Sequence, residues 1–190
     1  MDLLDHLQVG DLATVGLSMG GLVVMGMALA RPPRVWALGL AATTAAPVTE
    51  QERRERLALA DEAESTGMEP LVRAMGSRLF GPGADPAVVA RVHEMMSRND
   101  PQGSTAALRG RAERPDYRER LRELQVPSWV CVGDHDTWST AAVTRERVES
   151  LREPRTLTLA GVGHLPNLEA PDRFDAALAD FLHAAWERRA

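Results

Sequence analysis

Hydrophobic positions along this chain fall into two regimes. Short apolar runs of strand length lie near both ends, and the long stretch between them carries only helical signals. Leu12 to Leu17, with the β-branched pair Thr14 and Val15, predicts a strand, and Leu22 to Ala30 predicts an apolar helix. Val35 to Leu40 predicts a second strand, after a break at Arg31-Pro32-Pro33. Trp129 to Val132, opened by Pro127 and closed by Gly133-Asp134, predicts a third strand buried on both faces. Thr156 to Leu159 predicts a fourth. In the last segment Phe174, Ala177, Leu178, Phe181 and Leu182 recur at helical spacing and give one core-facing stripe. Asp2 to Leu7 reads as a short leading helix.

Residues 47–124 show no strand pattern. Thr49-Glu50-Gln51-Glu52 is a capping-box sequence. Glu69-Pro70, Asp85-Pro86 and Asp100-Pro101 each read as a helix start with proline in the first helical position. The chain is therefore expected to form an α/β core from residues 1–46 and 125–190, with a mostly parallel sheet. Residues 47–124 form a helical insert of the kind that caps an active site. A rival organisation starts from Leu12 to Ala30, which holds no charge and approaches the roughly 20 apolar residues of a membrane span. Gly16 and Gly20 even supply a G-x-x-x-G pair. Against it, turn-forming glycine and serine sit in the middle of the run, and Asp2, Asp5 and Asp11 precede it instead of cations.

Composition narrows the function classes. The 190 residues carry 22 basic and 27 acidic groups, a net charge of −5, which gives no basic footprint for nucleic acid. Every basic residue apart from histidine is arginine, read here as nucleotide bias in a GC-rich genome. The one cysteine, Cys131, lies mid-strand as a buried thiol and allows no disulfide framework. His6, His93 and His183 lack ligand spacing, so no metal and no cofactor is expected. No signal peptide is visible, and a cytoplasmic location without membrane attachment is the expectation.

Candidate chemistry concentrates at Gly16-Leu17-Ser18-Met19-Gly20-Gly21. A serine between a predicted strand and a predicted helix is the context of a G-x-S-x-G nucleophile elbow, with the flanking glycines expected to keep the turn free of side chains. The helix N-terminus beneath the serine favours developing negative charge. Two further groups follow strand ends: the acids of Gly133-Asp134-His135-Asp136, and His164 in the glycine-flanked loop Gly161-Val162-Gly163-His164. Serine, then acid, then histidine is the chain order of α/β-hydrolases and of no other common serine-hydrolase fold.

On these residues the chain resembles the C-terminal two-thirds of an α/β-hydrolase. Gly163-His164-Leu165-Pro166-Asn167-Leu168-Glu169-Ala170-Pro171 resembles that family's G-H-x-P-x-x-E-x-P ending. The loop Ala41-Ala42-Thr43-Thr44-Ala45-Ala46 and the helical insert resemble enol-lactone hydrolases of the 3-oxoadipate type. The resemblance implies a partial α/β-hydrolase fold and a Ser18, Asp136, His164 triad, because the family's acid stands three residues after the glycine. Asp134 then serves the turn. It also implies an acyl-enzyme route with the Met19 amide as one oxyanion donor. Serine in the nucleophile position argues against epoxide or haloalkane chemistry and leaves esters, lactones, thioesters and some C–C bonds open. A small-molecule ester or lactone is the expected partner. Trp138 and Leu165, beside the acid and the base, are the expected substrate-facing residues. Met68, Met75, Met95 and Met96 are read chiefly as helix packing.

In the family a second oxyanion donor comes from a loop after an earlier strand, and no such segment precedes Gly16. The N-terminal strands of the fold are thus expected to be missing. Leu12 to Leu17 would then form an open sheet edge prone to self-association, and turnover would be weak. Two classes stay open: a serine hydrolase, and an impaired remnant or partner-dependent subunit.

Overall fold

Alternation along the strands sends residues to opposite faces of a four-stranded sheet, and helices cover both. The computed structural model describes residues 2–30 and 34–189; the expected break at Arg31-Pro32-Pro33 lies outside the described residues. The strands are β1 (Leu12–Leu17), β2 (Val35–Ala41), β3 (Ser128–Gly133) and β4 (Arg155–Leu159). They lie in the order β1-β2-β3-β4, all parallel, with Gly16 opposite Leu40, Leu40 opposite Val130, and Val130 opposite Thr156. Near-continuous burial along β2 and β3 follows from that arrangement, since an all-parallel sheet is covered on both sides.

On one face Leu38, Leu40 and Val130 pack with Val24, Met25 and Ala28 of α2 (Met19–Ala30) and with Leu121 of α7 (Arg118–Arg122). On the other, Ala37, Ala41, Trp129 and Cys131 meet Phe174, Phe181 and Ala185 of α10 (Pro171–Glu187). Trp129 lies edge-on to Phe174 at 5.3 Å between ring centroids and stacks on Phe181 at 6.4 Å. The i, i+3, i+4 stripe of the last helix is therefore the surface that seals this face. Burial pushes the Cys131 thiol up to about 12, so it stays protonated and unreactive.

Between β2 and β3 run α3 (Glu50–Thr66), α4 (Glu69–Met75), a 3-10 turn (Gly76–Arg78), α5 (Pro86–Arg98) and α6 (Pro101–Ala112). Thr49 and Glu52 close a reciprocal capping box on α3. Asp85 and Asp100 cap α5 and α6, with the prolines in first position as expected. The third proline start differs. Glu69 is already helical, Met68 is the cap without a side-chain bond, and Glu69 pairs with Arg73 one turn on instead. Leu12 to Ala30 is divided by the turn at Ser18 into a strand and a 12-residue helix. Among the described residues no helix is long and apolar enough to cross a membrane.

The remaining elements are α1 (Asp2–His6), α8 (Ala141–Glu149) and α9 (Pro166–Glu169). β1 pairs with β2 alone among the described strands. Val15, Met19 and Val23, on β1 and the start of α2, are all exposed.

Candidate active site

The strands end together, and the turns after β1, β2, β3 and β4 build one site. Ser18 sits between β1 and α2 with φ +52°, a left-handed conformation that costs a non-glycine residue of order 1–3 kcal/mol. Neighbouring bonds hold it there: its amide donates to Ala41 O at 2.9 Å, and its carbonyl accepts from Thr43 Oγ1 at 2.7 Å and from the Gly21 amide at 3.1 Å. A Cβ on Gly16 would lie 2.3 Å from Gly20 O, and one on Gly21 would lie 2.5 Å from the Thr43 side chain. Gly20 has open space around it. The steric expectation for the second flanking glycine is therefore corrected. Close packing after the serine depends on Gly21, because Gly21 and not Gly20 faces the β2 loop.

His164 lies within hydrogen-bond distance of both other members of the expected triad. Its Nε2 lies 2.8 Å from Ser18 Oγ and its Nδ1 2.9 Å from Asp136 Oδ2. The Asp136 carboxylate is fully buried, and its Oδ1 accepts from the Trp138 and Ser139 amides at 2.9 and 3.0 Å. Burial opposes its charge, but the His164 ring and those two amides outweigh burial and hold its pKa below the ordinary value. Asp134, the other acid of the loop, accepts from the Gly161 amide at 2.7 Å and ties the end of β3 to the end of β4. His135 is largely exposed.

The histidine loop is held from two directions. The His164 amide donates to Leu79 O at 2.8 Å. Glu169 accepts from the amides of Gly81 at 2.6 Å, of Gly163 at 3.0 Å and of Leu165 at 3.2 Å. The approach is close enough that a Cβ on Gly163 would fall 2.5 Å from Gly81 N. Residues 79–81, from the helical segment, thus brace the His164 loop. Glu169 was visible only as one position of a sequence pattern, and Thr43 carried no signal of its own.

A cavity of about 580 Å³ opens over Ser18 and His164, within the range of small-molecule sites. The expected residues Met19 and Trp138 line it, and Met75 alone of the four methionines does so. The Met19 amide opens α2, in the first turn where N–H groups lack an intrahelical acceptor. Trp138 lies edge-on to His164 at 4.8 Å. Leu165 does not line the cavity; it packs on the cluster of Leu79, Val92 and Met96. That expectation is corrected: the chain turns into α9 straight after the histidine, and the neighbouring side chain is carried away from the cavity. Opposite the sheet the walls come from α3, α4, α6 and the loop after α6, and include Arg56, Arg111 and Arg114, none of which the sequence reading singled out. Among the described residues no group of histidine, cysteine or carboxylate side chains could hold a metal ion.

A parallel sheet with a serine at a strand-to-helix turn, an acid after a later strand and a histidine after the last strand defines the α/β-hydrolase class. The profile of the alpha/beta hydrolase family matches residues 1–177, and the chain belongs to that family. It is 28% identical over 179 residues to 3-oxoadipate enol-lactonase 2 of Acinetobacter baylyi, covering 93% of this chain and 65% of that protein. Among solved structures it superposes on a thermophilic esterase from Thermogutta terrifontis, determined with malate bound, with a TM-score of 0.93 and 29% identity. That match covers 96% of this chain and 69% of the esterase. The enol-lactonase of Burkholderia xenovorans follows with a TM-score of 0.82 and 29% identity, over 95% of this chain and 69% of that one. The chain spans about two-thirds of the length of these relatives.

Proposed function

We propose that this chain carries the catalytic triad of a serine hydrolase for small carboxylic esters or lactones. The observation that carries the reading is the unbroken hydrogen-bonded path from Asp136 through His164 to Ser18 at the wall of a cavity. A serine hydroxyl is a weak nucleophile at neutral pH, so His164 Nε2 takes its proton as Oγ attacks the substrate carbonyl. Asp136 holds the Nδ1–H tautomer and stabilises the imidazolium. The Met19 amide, at the positive end of α2, donates to the carbonyl oxygen as it becomes an oxyanion. Collapse of the tetrahedral intermediate gives an acyl-enzyme on Ser18 and expels the alcohol, which receives the proton from His164. Water, activated by the same histidine, then releases the acid. For a lactone the alcohol and the acid remain one molecule. The helical segment 47–124 acts as a cap whose α3, α4 and α6 side chains complete the pocket. The ester and enol-lactone chemistry named for the relatives agrees with this assignment.

A fluorophosphonate probe tests it directly. Ser18 should be labelled in the wild type, and a folded Ser18→Ala variant should lose both labelling and turnover of 4-nitrophenyl butyrate. Labelling that persists in Ser18→Ala would overturn the assignment.

A further inference from the structure

Arg78, at the end of the 3-10 turn, differs from the arginines around it. Arg73 on α4 pairs with Glu62 and Glu69, and Arg98 on α5 pairs with Glu94. Arg78 is exposed, yet among the described residues no carboxylate pairs with it. Its side chain instead crosses from the helical segment to the loop of the triad acid. Nε donates to Thr137 Oγ1 at 3.4 Å, and the guanidinium carbon lies 4.5 Å from the centroid of the Trp138 ring. Thr137 and Trp138 are the two residues that follow Asp136.

Trp138 in turn touches the histidine. Its amide is fixed by Asp136 Oδ1 at 2.9 Å, and its ring is turned back over the triad, 4.8 Å from the His164 ring between centroids. In the reaction the imidazole has to keep its place while its partners change. Once Nε2 has taken the serine proton and Ser18 Oγ is bonded to the acyl carbon, the Nε2–H must point to the leaving oxygen. The remaining anchors of the ring are then the Nδ1 bond to Asp136 and the side chains packed against it. Both Trp138 and His164 line the cavity, so an indole free to swing into that space would let the imidazole follow. A cation on the face of an indole is attracted by the ring quadrupole and resists that swing. The 3-10 turn therefore meets the base twice, with the Leu79 carbonyl at its amide and with Arg78, through Trp138, at its ring.

We propose that Arg78 is a positioning residue for His164 that acts through Trp138: the guanidinium pins the indole, and the indole holds the imidazole on the line between Asp136 and Ser18. That role rests on the hydrolase reading of Ser18 and deepens it, because the helical segment then supports the base itself as well as walling the cavity.

The test is a double-mutant cycle on kcat for 4-nitrophenyl butyrate, a neutral ester whose acylation and deacylation both use His164. Trp138→Leu should lower kcat about 10- to 100-fold, the scale of a small misplacement of a reacting group. Arg78→Met should lower kcat about 2- to 5-fold with KM little changed, the range that an exposed cation–π contact can supply. Arg78→Lys keeps a cation and should restore most of that loss. In the Trp138→Leu background Arg78→Met should have no further effect, because the ring it acts on is gone. Active sites are counted by fluorophosphonate titration of Ser18, so partial instability of a variant lowers the count and not kcat per site. A second arm needs no turnover. The low-field proton resonance of His164 Nδ1–H should be sharp in the wild type, broaden in Trp138→Leu and Arg78→Met, and recover in Arg78→Lys. Ester hydrolysis that Arg78→Met leaves unchanged, lowers equally in both backgrounds, or lowers without rescue by Arg78→Lys overturns the positioning role and leaves the hydrolase standing. An Arg78-dependent Nδ1–H resonance in a protein that neither hydrolyses the ester nor labels at Ser18 overturns the hydrolase reading and keeps the contact between Arg78, Trp138 and His164.

Discussion

Replacing Asp136 with asparagine tests whether the polarity of the hydrogen-bond path matters. The Asp136 Oδ1 atom accepts from two backbone amides, Trp138 and Ser139, while Oδ2 faces His164 Nδ1. Those amides can only donate, so an asparagine must keep its carbonyl oxygen toward them and turn its NH₂ toward the ring. Nδ1 must then accept, which puts the ring proton on Nε2, the atom that faces Ser18 Oγ. A protonated Nε2 cannot take the serine proton. In the serine-protease triad the same exchange lowers kcat by about 10⁴, or about 5.5 kcal/mol at 1.36 kcal/mol per decade. We expect a loss on the order of 10³–10⁴ in kcat for 4-nitrophenyl butyrate with KM little changed. Asp134→Asn is the internal comparison. It weakens one bond to the Gly161 amide on a part-exposed side chain, worth about 1 kcal/mol of stability, and should cost less than tenfold in kcat/KM. The Asp136 variant also carries a pH signature. The Asp136 pKa is lowered in the folded state, so its contribution to stability is fully present above the reference value of 3.8 and is lost as pH falls through the folded value. The difference in melting temperature between wild type and Asp136→Asn should therefore narrow as pH drops from 6 toward 3. Retention of kcat/KM within tenfold by Asp136→Asn, or a larger loss in Asp134→Asn, would refute the assignment.

Three further outcomes are expected. Gly16→Ala places a Cβ 2.3 Å from Gly20 O and should lower stability by about 2 kcal/mol or more, whereas Gly20→Ala meets open space inside a helix and should be neutral or stabilising by up to about 1 kcal/mol. Urea denaturation measures both, and equal losses would contradict the packing described. Glu169→Gln weakens the acceptor shared by Gly81, Gly163 and Leu165 and should cost about 1.5–3 kcal/mol while lowering kcat more than it raises KM, as expected when the base is displaced. A variant stable and active within twofold of wild type would remove the clamp from the argument. The open side of β1, with exposed Val15, Met19 and Val23, should make this chain self-associate, and Val15→Lys should shift it toward monomer in light scattering after gel filtration; a wild-type chain that is monodisperse at 100 µM or so would refute this.

What could be read in advance divides along the range of the interactions involved. The two central strands were legible because a strand buried on both faces writes its pattern into adjacent residues, as Trp129 to Val132 does, whereas β1 and β4, only partly buried, were legible from short runs with β-branched residues that end beside glycines. The Ser18, Asp136 and His164 candidates were legible for a related reason. Each stands at a strand end beside glycines, so its local context marks it without knowledge of the rest of the fold. Leu165 shows the limit of that logic, since adjacency to His164 places its backbone at the site but not its side chain. The glycines show it again: Gly20 and Gly21 are equivalent as turn formers, and only the position of Thr43 on another loop decides which one must lack a Cβ. The cavity arginines were out of reach altogether. On α3, Arg53 and Arg54 turn to solvent and pair with acids while Arg56 turns inward, yet all three belong to one polar run with no apolar stripe strong enough to fix the helix's rotation. Which of them faces the cavity is settled by how α3 packs on α6 and how both sit over the sheet. The candidate triad was therefore visible because its three members stand at turns, which are local. The cavity-lining arginines Arg56 and Arg111 were hidden because their placement depends on the phase of helices, which tertiary packing alone sets.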